Sequence, residues 1–312
     1  MPILERDPWR LQYFEGVDCP DEVIIPVDDP DCWILYPDHC WIYDKLRIAR
    51  SQGLDCAPHG VMPTQYPVFS KPIYNLKGMG VGGKLIFSRK EMLEFSQPGH
   101  MWMPFLTGEH LSSDCAIVDG EIRWIRHATG LTTSGGMFHY WIVHADSKPT
   151  IEIHLRNWVL VHMGGYTGMM NFESIGGSII EAHLRFADQW CDLYGSRWIE
   201  ALVNLYTTKT WNFDDSATTG GFSIPLFAKH GSQYLHPSAE CQAAVRAMKS
   251  VSSLQITFDE TVDSASHPMP PGGFRLAIIN ATDLPTGLAA RKKLSECFPS
   301  ERLLLDSETR SS

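Results

Sequence analysis

Glu173 and Glu181 close two short apolar runs joined by a diglycine, in the stretch GYTGMMNFESIGGSIIEAHLR from Gly165 to Arg185. Met169, Met170 and Phe172 precede Gly176-Gly177, and Ile179 and Ile180 follow it. This pattern predicts a β-hairpin whose turn tolerates positive φ. In that hairpin the two carboxylates face each other across the ladder. Like charges placed opposite one another repel, so a cation between them is the expected remedy. Hard oxygen donors of this kind suit Mg2+, which is held by one or two carboxylates together with nucleotide phosphates. A solvated hairpin with two surface glutamates fits the same spacing, so the elements upstream must separate the two readings.

The second chemistry-bearing stretch is YPVFSKPIYNLKGMGVGGKLIFS. A strand through Lys71-Pro72 and a returning strand from Lys84 flank a loop in which Gly78, Gly80, Gly82 and Gly83 fall within six residues. Glycines at this density let backbone N–H groups converge on an anion, with Lys71, Lys77 and Lys84 supplying charge beside them. A flexible hairpin tip has the same composition, and the pattern is neither a dinucleotide fingerprint nor a Walker A sequence.

These stretches sit in a chain of 312 residues, enough for one large domain or two to three small ones. Hydrophobic content of 44%, with 10 Trp and 14 Phe, describes a globular protein rather than a disordered one. No apolar run is long enough to span a bilayer, and MPILERDPWR lacks the core of a secretion signal, so the expectation is a cytoplasmic protein without a membrane partner. A net charge of -10 argues against a phosphate-tracking nucleic-acid surface. The eight cysteines form no C-x-x-C pair, which predicts scattered buried thiols rather than zinc ligands or disulfides.

In chain order, residues 1–35 offer one strand, at Val23-Ile24-Ile25, and WIYDKLRIARSQ predicts a helix over 41–52. Ser88, with Glu91 three residues on, caps a short helix, and MWMPFL is a strand. Strands at 111–118 and 122–125 flank an Asp119-Gly120 turn. HYWIV is a further strand, a helix starts near Lys148, and ADQWCDLYGSRWIEALVNLY forms one or two helices. Beyond Gly220, strands (FSIPLF, LQITF, FRLAIINA) alternate with helices (AECQAAVRAM, PTGLAARKKLSECF), and LDSETRSS frays. Trp124, Tyr140, Trp141 and Tyr166 fit core better than a substrate pocket. Thr129 to Gly136, flanked by His127 and His139, is the candidate substrate loop.

The order of these pieces resembles the ATP-grasp superfamily from about Asp44 to Arg185, with weaker support to about residue 285. The matching elements are a helix opening with Asp44-Lys45, a strand ending in Lys71-Pro72, the Gly-rich loop, and a hinge strand leading to Gly108-Glu109. A strand-turn-strand around Asp119-Gly120, a helix, and finally Glu173 and I-I-E-A-H-L-R complete the order. The resemblance implies an α+β fold in which two α+β lobes clasp ATP. The corresponding division is a truncated N-terminal segment (1–40), a small lobe (41–110), a large lobe with the metal site (111–215) and a C-terminal α/β extension (216–312).

Carried over to this chain, the resemblance implies that Lys45 and Lys71 contact ATP phosphates, and that the loop from Asn75 to Gly83, with Lys77, Gly78 and Gly80, folds over them. The backbone from Met103 to Phe105 meets adenine and Glu109 lies near the ribose, while Glu173 and Glu181 hold Mg2+. In the family motif E-x-N-x-R, the asparagine is a metal ligand and the arginine contacts the transferred phosphate; here those positions are His183 and Arg185. Imidazole prefers softer metals than Mg2+. His183 is therefore a candidate phosphate or substrate contact, or a hydrogen-bonded structural residue, and Asn171 is the alternative source of the missing oxygen.

The implied reaction is ATP-dependent ligation, in which a small-molecule carboxylate becomes an acyl phosphate that an amine attacks. Small-molecule phosphorylation and a catalytically inactive nucleotide-binding or scaffold protein are the alternatives. The short front implies either a vestigial pre-ATP-grasp domain or completion of the site by another subunit, hence a possible homo-oligomer.

Overall fold

Alternation of large apolar and polar side chains through residues 110–183 builds the sheet on which the rest of the molecule is assembled. The computed structural model describes residues 3–5, 7–76 and 78–304. The front of the chain contains β1 (Ile3–Leu4), β2 (Ile25–Pro26) and α1 (Asp29–Leu35), with β1 and β2 paired in parallel. The small lobe follows: α2 (Lys45–Ser51), β3 (Ala57–Pro58), β4 (Val68–Pro72), β5 (Lys84–Ile86), α3 (Arg89–Glu94) and β6 (His100–Pro104). The large lobe opens with β7 (His110–Val118), β8 (Glu121–Thr132), β9 (Phe138–Val143), α4 (Pro149–His162), β10 (Gly168–Ile175), β11 (Ser178–His183) and α5 (Trp198–Thr207). It ends with β12 (Gly221–Ala228), α6 (Ala239–Arg246), β13 (Val251–Ile256), β14 (Phe274–Ala281) and α7 (Leu284–Ser295).

The small-lobe sheet has the order β3-β6-β4-β5. The large-lobe sheet has eight strands in the order β11-β10-β7-β8-β9-β12-β14-β13. The strands of residues 216–312 therefore continue the sheet of residues 111–215. One face of β7 and β10 packs Leu111, Cys115, Met170 and Phe172 with Ile151, Leu155, Trp158 and Val159 of α4. The C-terminal strands bury Leu254, Leu276 and Ile279 with Ala290 and Leu294 of α7. Tyr166 lies in the first of these cores and Trp124 and Trp141 in a third, each less than a tenth exposed, whereas Tyr140 is only partly buried. The N-terminal segment is part of the structure it precedes: Ile3, Phe14, Ile25 and Val27 share a core with Trp141, Trp190 and Trp198.

Three expectations need correction. The helix expected over 41–52 begins only at Lys45, because the Asp44 side chain accepts the Arg47 N–H and a separate 3-10 turn, Cys40–Tyr43, precedes it. Strand β8 runs to Thr132, pairing Thr129 with Ile142 and Leu131 with Tyr140, so the expected loop from Thr129 shrinks to the turn around Ser134–Gly136. Cys241 and Cys297 form a disulfide. Its cysteines stand 56 residues apart, so only the packing of α6 beside α7 brings them together. The tail LDSETRSS lies outside the described residues.

The β10–β11 hairpin is anchored at its tip. Gly176 has φ +57°, and a Cβ there would lie 2.3 Å from the carbonyl oxygen of Thr107 in the linker between the lobes. Its N–H donates to the Glu109 carbonyl at 3.1 Å. A Cβ on Gly108, at φ +119°, would lie 2.9 Å from the Gly176 Cα. Only residues without a side chain fit this crossing. Gly176→Ala is expected to lower stability by about 1–3 kcal/mol through strain and the clash with Thr107, and urea unfolding of the two proteins checks it.

Candidate active site between the lobes

Strand alternation places one polar face on β7, β10 and β11, opposite the face buried under α4. Glu173 pairs directly with Glu181 and Asn171 with His183 in the β10–β11 register, while Asn171 also pairs with Asp114 of β7. The two glutamates thus stand across from one another. Each has a positive or potentially positive neighbour: Glu181 Oε1 is 2.6 Å from Lys45 Nζ, and Glu173 Oε2 is 3.5 Å from His110 Nε2. Burial works to raise the Glu173 pKa, but the nearby His110 imidazole holds it below the usual carboxylate range.

Both lysines come from the small lobe. Lys45 opens α2, and its backbone N–H donates to the carbonyl of Ile73, just past β4. Lys71 lies within β4 and donates its Nζ to the Ile180 carbonyl of β11 at 2.6 Å. Each is under a tenth exposed. Burial, with Lys45 adding to it, lowers the Lys71 pKa to about 8 against the opposing pull of Glu181.

Next along the strand, Asp29 of α1 joins His183 and Arg185 into one unit. Arg185 grips both oxygens, with Nε 3.0 Å from Oδ1 and Nη2 3.1 Å from Oδ2, and His183 Nδ1 is 2.9 Å from Oδ2. The Tyr43 hydroxyl donates to Oδ1 at 3.2 Å. Burial opposes ionisation of Asp29, yet Arg185 first and His183 second keep its pKa far below the usual value. With Nδ1 taken up by that carboxylate, the other ring nitrogen, Nε2, lies 4.0 Å from Glu181 Oε1. Asn171 has a different role from these: its amide donates to Ser112 Oγ at 2.8 Å and Asp114 Oδ1 at 2.6 Å, and it is almost fully buried.

The remaining expected nucleotide contacts surround this cluster. Asn75 donates to the Gly78 carbonyl at 2.8 Å, which shapes the Gly-rich loop. Gly78 and Gly80 both have positive φ and open space where a Cβ would stand. The carbonyl oxygen of Met79 comes within 3.6 Å of a Cβ built on Gly136, so the loop reaches the large lobe. Lys77 lies outside the described residues. Met103 is buried in β6 opposite Phe69, and Phe105, the first residue of the linker, is exposed. Glu109 is tied to the large lobe by Lys148 Nζ at 2.8 Å and Thr129 Oγ1 at 2.6 Å.

Among the described residues, no three His, Cys, Asp or Glu side chains form a group able to hold a metal ion alone. The donor set fits Mg2+ only as a shared ion, with two carboxylates from the protein and further oxygens from a nucleotide. Glu173 and Glu181 supply that facing pair, while the bonds to Ser112 and Asp114 engage only the amide nitrogen of Asn171 and not its oxygen.

No protein-family model matches the sequence, and no curated protein matches it. Solved structures do. An L-amino acid ligase from Bacillus licheniformis superposes with a TM-score of 0.62 at 12% identity, over 92% of this chain and 82% of that one. A phosphoribosylamine–glycine ligase from Thermotoga maritima gives 0.58 at 12% identity, over 91% and 84%. An N5-carboxyaminoimidazole synthase from Aspergillus clavatus, solved with ADP and an aminoimidazole ribonucleotide, gives 0.57 at 12% identity, over 88% and 80%.

The chain has the ATP-grasp fold. Three residues of the polar face are absent from the sequence-derived candidates. Asp29 precedes the site by more than 150 residues, and its only signal is the D-D-P-D run that starts α1. His110 and Asp114 alternate along β7 with apolar neighbours, a period-2 signal that marks their face but not their partners. Asp114 accepts from Asn171, Tyr194 and the Ala187 N–H, and burial raises its pKa to about 6 against those bonds.

Asp29→Asn removes the charge opposite a partly buried guanidinium. We expect a loss of about 3 kcal/mol, the cost of breaking a buried pair from one side. Urea unfolding measures it, and a change below about 0.5 kcal/mol, the range of ordinary surface substitutions, would show that the Arg185 contact is not structural.

Proposed function

We propose that this chain is an ATP-dependent ligase that activates a carboxylate as an acyl phosphate for attack by an amine, forming a carbon–nitrogen bond. The observation that carries the reading is the meeting of the two lobes at one point: Glu173 and Glu181 in direct register, with Lys45 and Lys71 of the other lobe on Glu181 and the Ile180 carbonyl. Paired carboxylates beside two lysines and an arginine are what a nucleotide with a bound divalent ion requires. The ATP-grasp fold, shared with ligases of known structure, supports it.

In this reading Glu173 and Glu181 hold Mg2+ when it is bound with ATP, and the ion offsets phosphate charge there. Lys45 and Lys71 neutralise the phosphate oxygens from the small-lobe side. Arg185, oriented by its two bonds to Asp29, stabilises the charge that develops on the phosphoryl group during transfer. His183, fixed through Nδ1 by the same carboxylate, presents Nε2 to the reacting region. The Gly-rich loop, already in contact distance of Gly136, excludes water that would hydrolyse an acyl phosphate. Among the described residues no helix is long and apolar enough to cross a membrane.

Glu181→Gln should cut ADP release with pooled amino acids and small carboxylic acids by about 10²–10³-fold, the usual loss of one electrostatic catalytic group. The fold should be retained, as judged by circular dichroism. Undiminished turnover would remove the metal assignment, and a stable phosphorylated product in place of an amide would make the chain a kinase.

A second outcome follows from Lys71. Its charge is complete below about pH 8 and lost above it, so affinity for a non-hydrolysable ATP analogue should fall between about pH 7 and 9. Lys71→Arg, charged throughout, should shift that decline upward. A flat affinity in the wild-type chain over this range would show that Lys71 does not bind phosphate.

A further inference from the structure

The polar face does not end at Arg185. Asp188, close enough to act on the Arg185 charge, is ion-paired with Arg10 from the N-terminal segment, and Arg10 also bonds Asp7 at 3.1 Å. Arg275, near the start of β14, lies in the field of Arg10, Asp7 and Asp188. A continuous line of charged groups therefore runs from Glu181 through His183, Asp29, Arg185, Asp188 and Arg10 to Arg275.

Every member of that line except the last has a partner. Among the described residues no carboxylate lies within ion-pair distance of the Arg275 guanidinium, and its Nε is closed off from solvent without an acceptor, as is Nε of Arg10. The rest of the Arg275 side chain is only partly buried, so a ligand has access to it. Glu5, the remaining acid of the region, is no counter-ion. Burial first and Asp188 second raise its pKa to about 9, which keeps it protonated near neutrality, and its Oε2 is buried without a partner. Burial lowers the Arg275 pKa only to about 10, so the guanidinium is charged at neutral pH. A desolvated guanidinium without an anion is an arrangement that folding alone does not favour.

We propose that Arg275 anchors a carboxylate group of the substrate, at a subsite formed by β14 and the N-terminal segment at the far end of the charged line from Glu181. A guanidinium fork matches a planar carboxylate through two parallel N–H donors, which sets orientation as well as affinity. The subsite rests on the ligase reading only in making that carboxylate a substrate's. It gives the N-terminal segment a recognition role, since Glu5, Asp7 and Arg10 all come from it.

The test is thermal unfolding of the full chain in a panel of sodium acetate, succinate, glycine, L-glutamate and inorganic phosphate, against sodium chloride at equal ionic strength. The wild-type melting temperature should rise with at least one carboxylate. Arg275→Met should require more than about tenfold higher concentration for the same rise, the weight of a charge-assisted pair, and Arg275→Lys should fall between them. In chloride alone Arg275→Met should melt no lower than wild type, because it removes an uncompensated charge. Should Arg275→Met not fold, the lysine variant carries the comparison. The proposal is overturned if no carboxylate stabilises the wild type beyond chloride, if all three proteins respond equally, or if inorganic phosphate alone acts. The measurement uses no ATP, so failure of the subsite and failure of the ligase reading in the Glu181→Gln experiment are seen separately.

Discussion

Two carboxylates fixed in register on neighbouring antiparallel strands must find positive charge or the hairpin loses stability. In this chain the positive charge arrives from another lobe. Lys45 reaches Glu181 and Lys71 reaches the adjacent backbone carbonyl, so the repulsion between Glu173 and Glu181 becomes an attraction that draws the two lobes together. The local requirement of a hairpin and the assembly of a two-lobed cleft are thus one electrostatic problem. Its low-dielectric setting, with both lysines almost wholly buried, makes each of these contacts stronger than a surface ion pair.

The same economy extends along β11 and beyond. Asp29 orients His183 on one side and Arg185 on the other, and Asp114 gathers Asn171, Tyr194 and a backbone N–H. Buried polar groups of this number are tolerable because their bonds are shared through a network rather than left as isolated pairs. Buried polar atoms left without a partner include Arg275 Nε and Glu5 Oε2.

Much of this was legible in the sequence where the signal is local. The diglycine between two apolar runs predicted the hairpin and the facing glutamates, and the strand pairing agrees. Period-2 alternation located β7, β9 and β12, and the Asp119-Gly120 turn joins β7 to β8. Long-range pairing was not legible. Asp29 sits in a segment that reads as a short preamble, and nothing near it in sequence reveals Arg185 as its partner. The bond between Cys241 and Cys297 depends on two helices packing side by side, which periodicity describes one at a time. Asn171 is a further case: its place on the polar face follows from alternation, but the bond from its amide nitrogen to Asp114 on the neighbouring strand does not.

The crossing of Gly176 over the Thr107 carbonyl has a mechanical meaning. It fixes one end of the β10–β11 hairpin to the segment that joins the lobes, while Glu181, opposite Glu173, stands about 10 Å further along the ladder at ordinary strand spacing. The hairpin is then a lever with its fulcrum at the linker. A rotation of the small lobe leaves the fulcrum still and sweeps Lys45 and Lys71 through the largest arc, so a small angular change is converted into engagement or release of charge at Glu181.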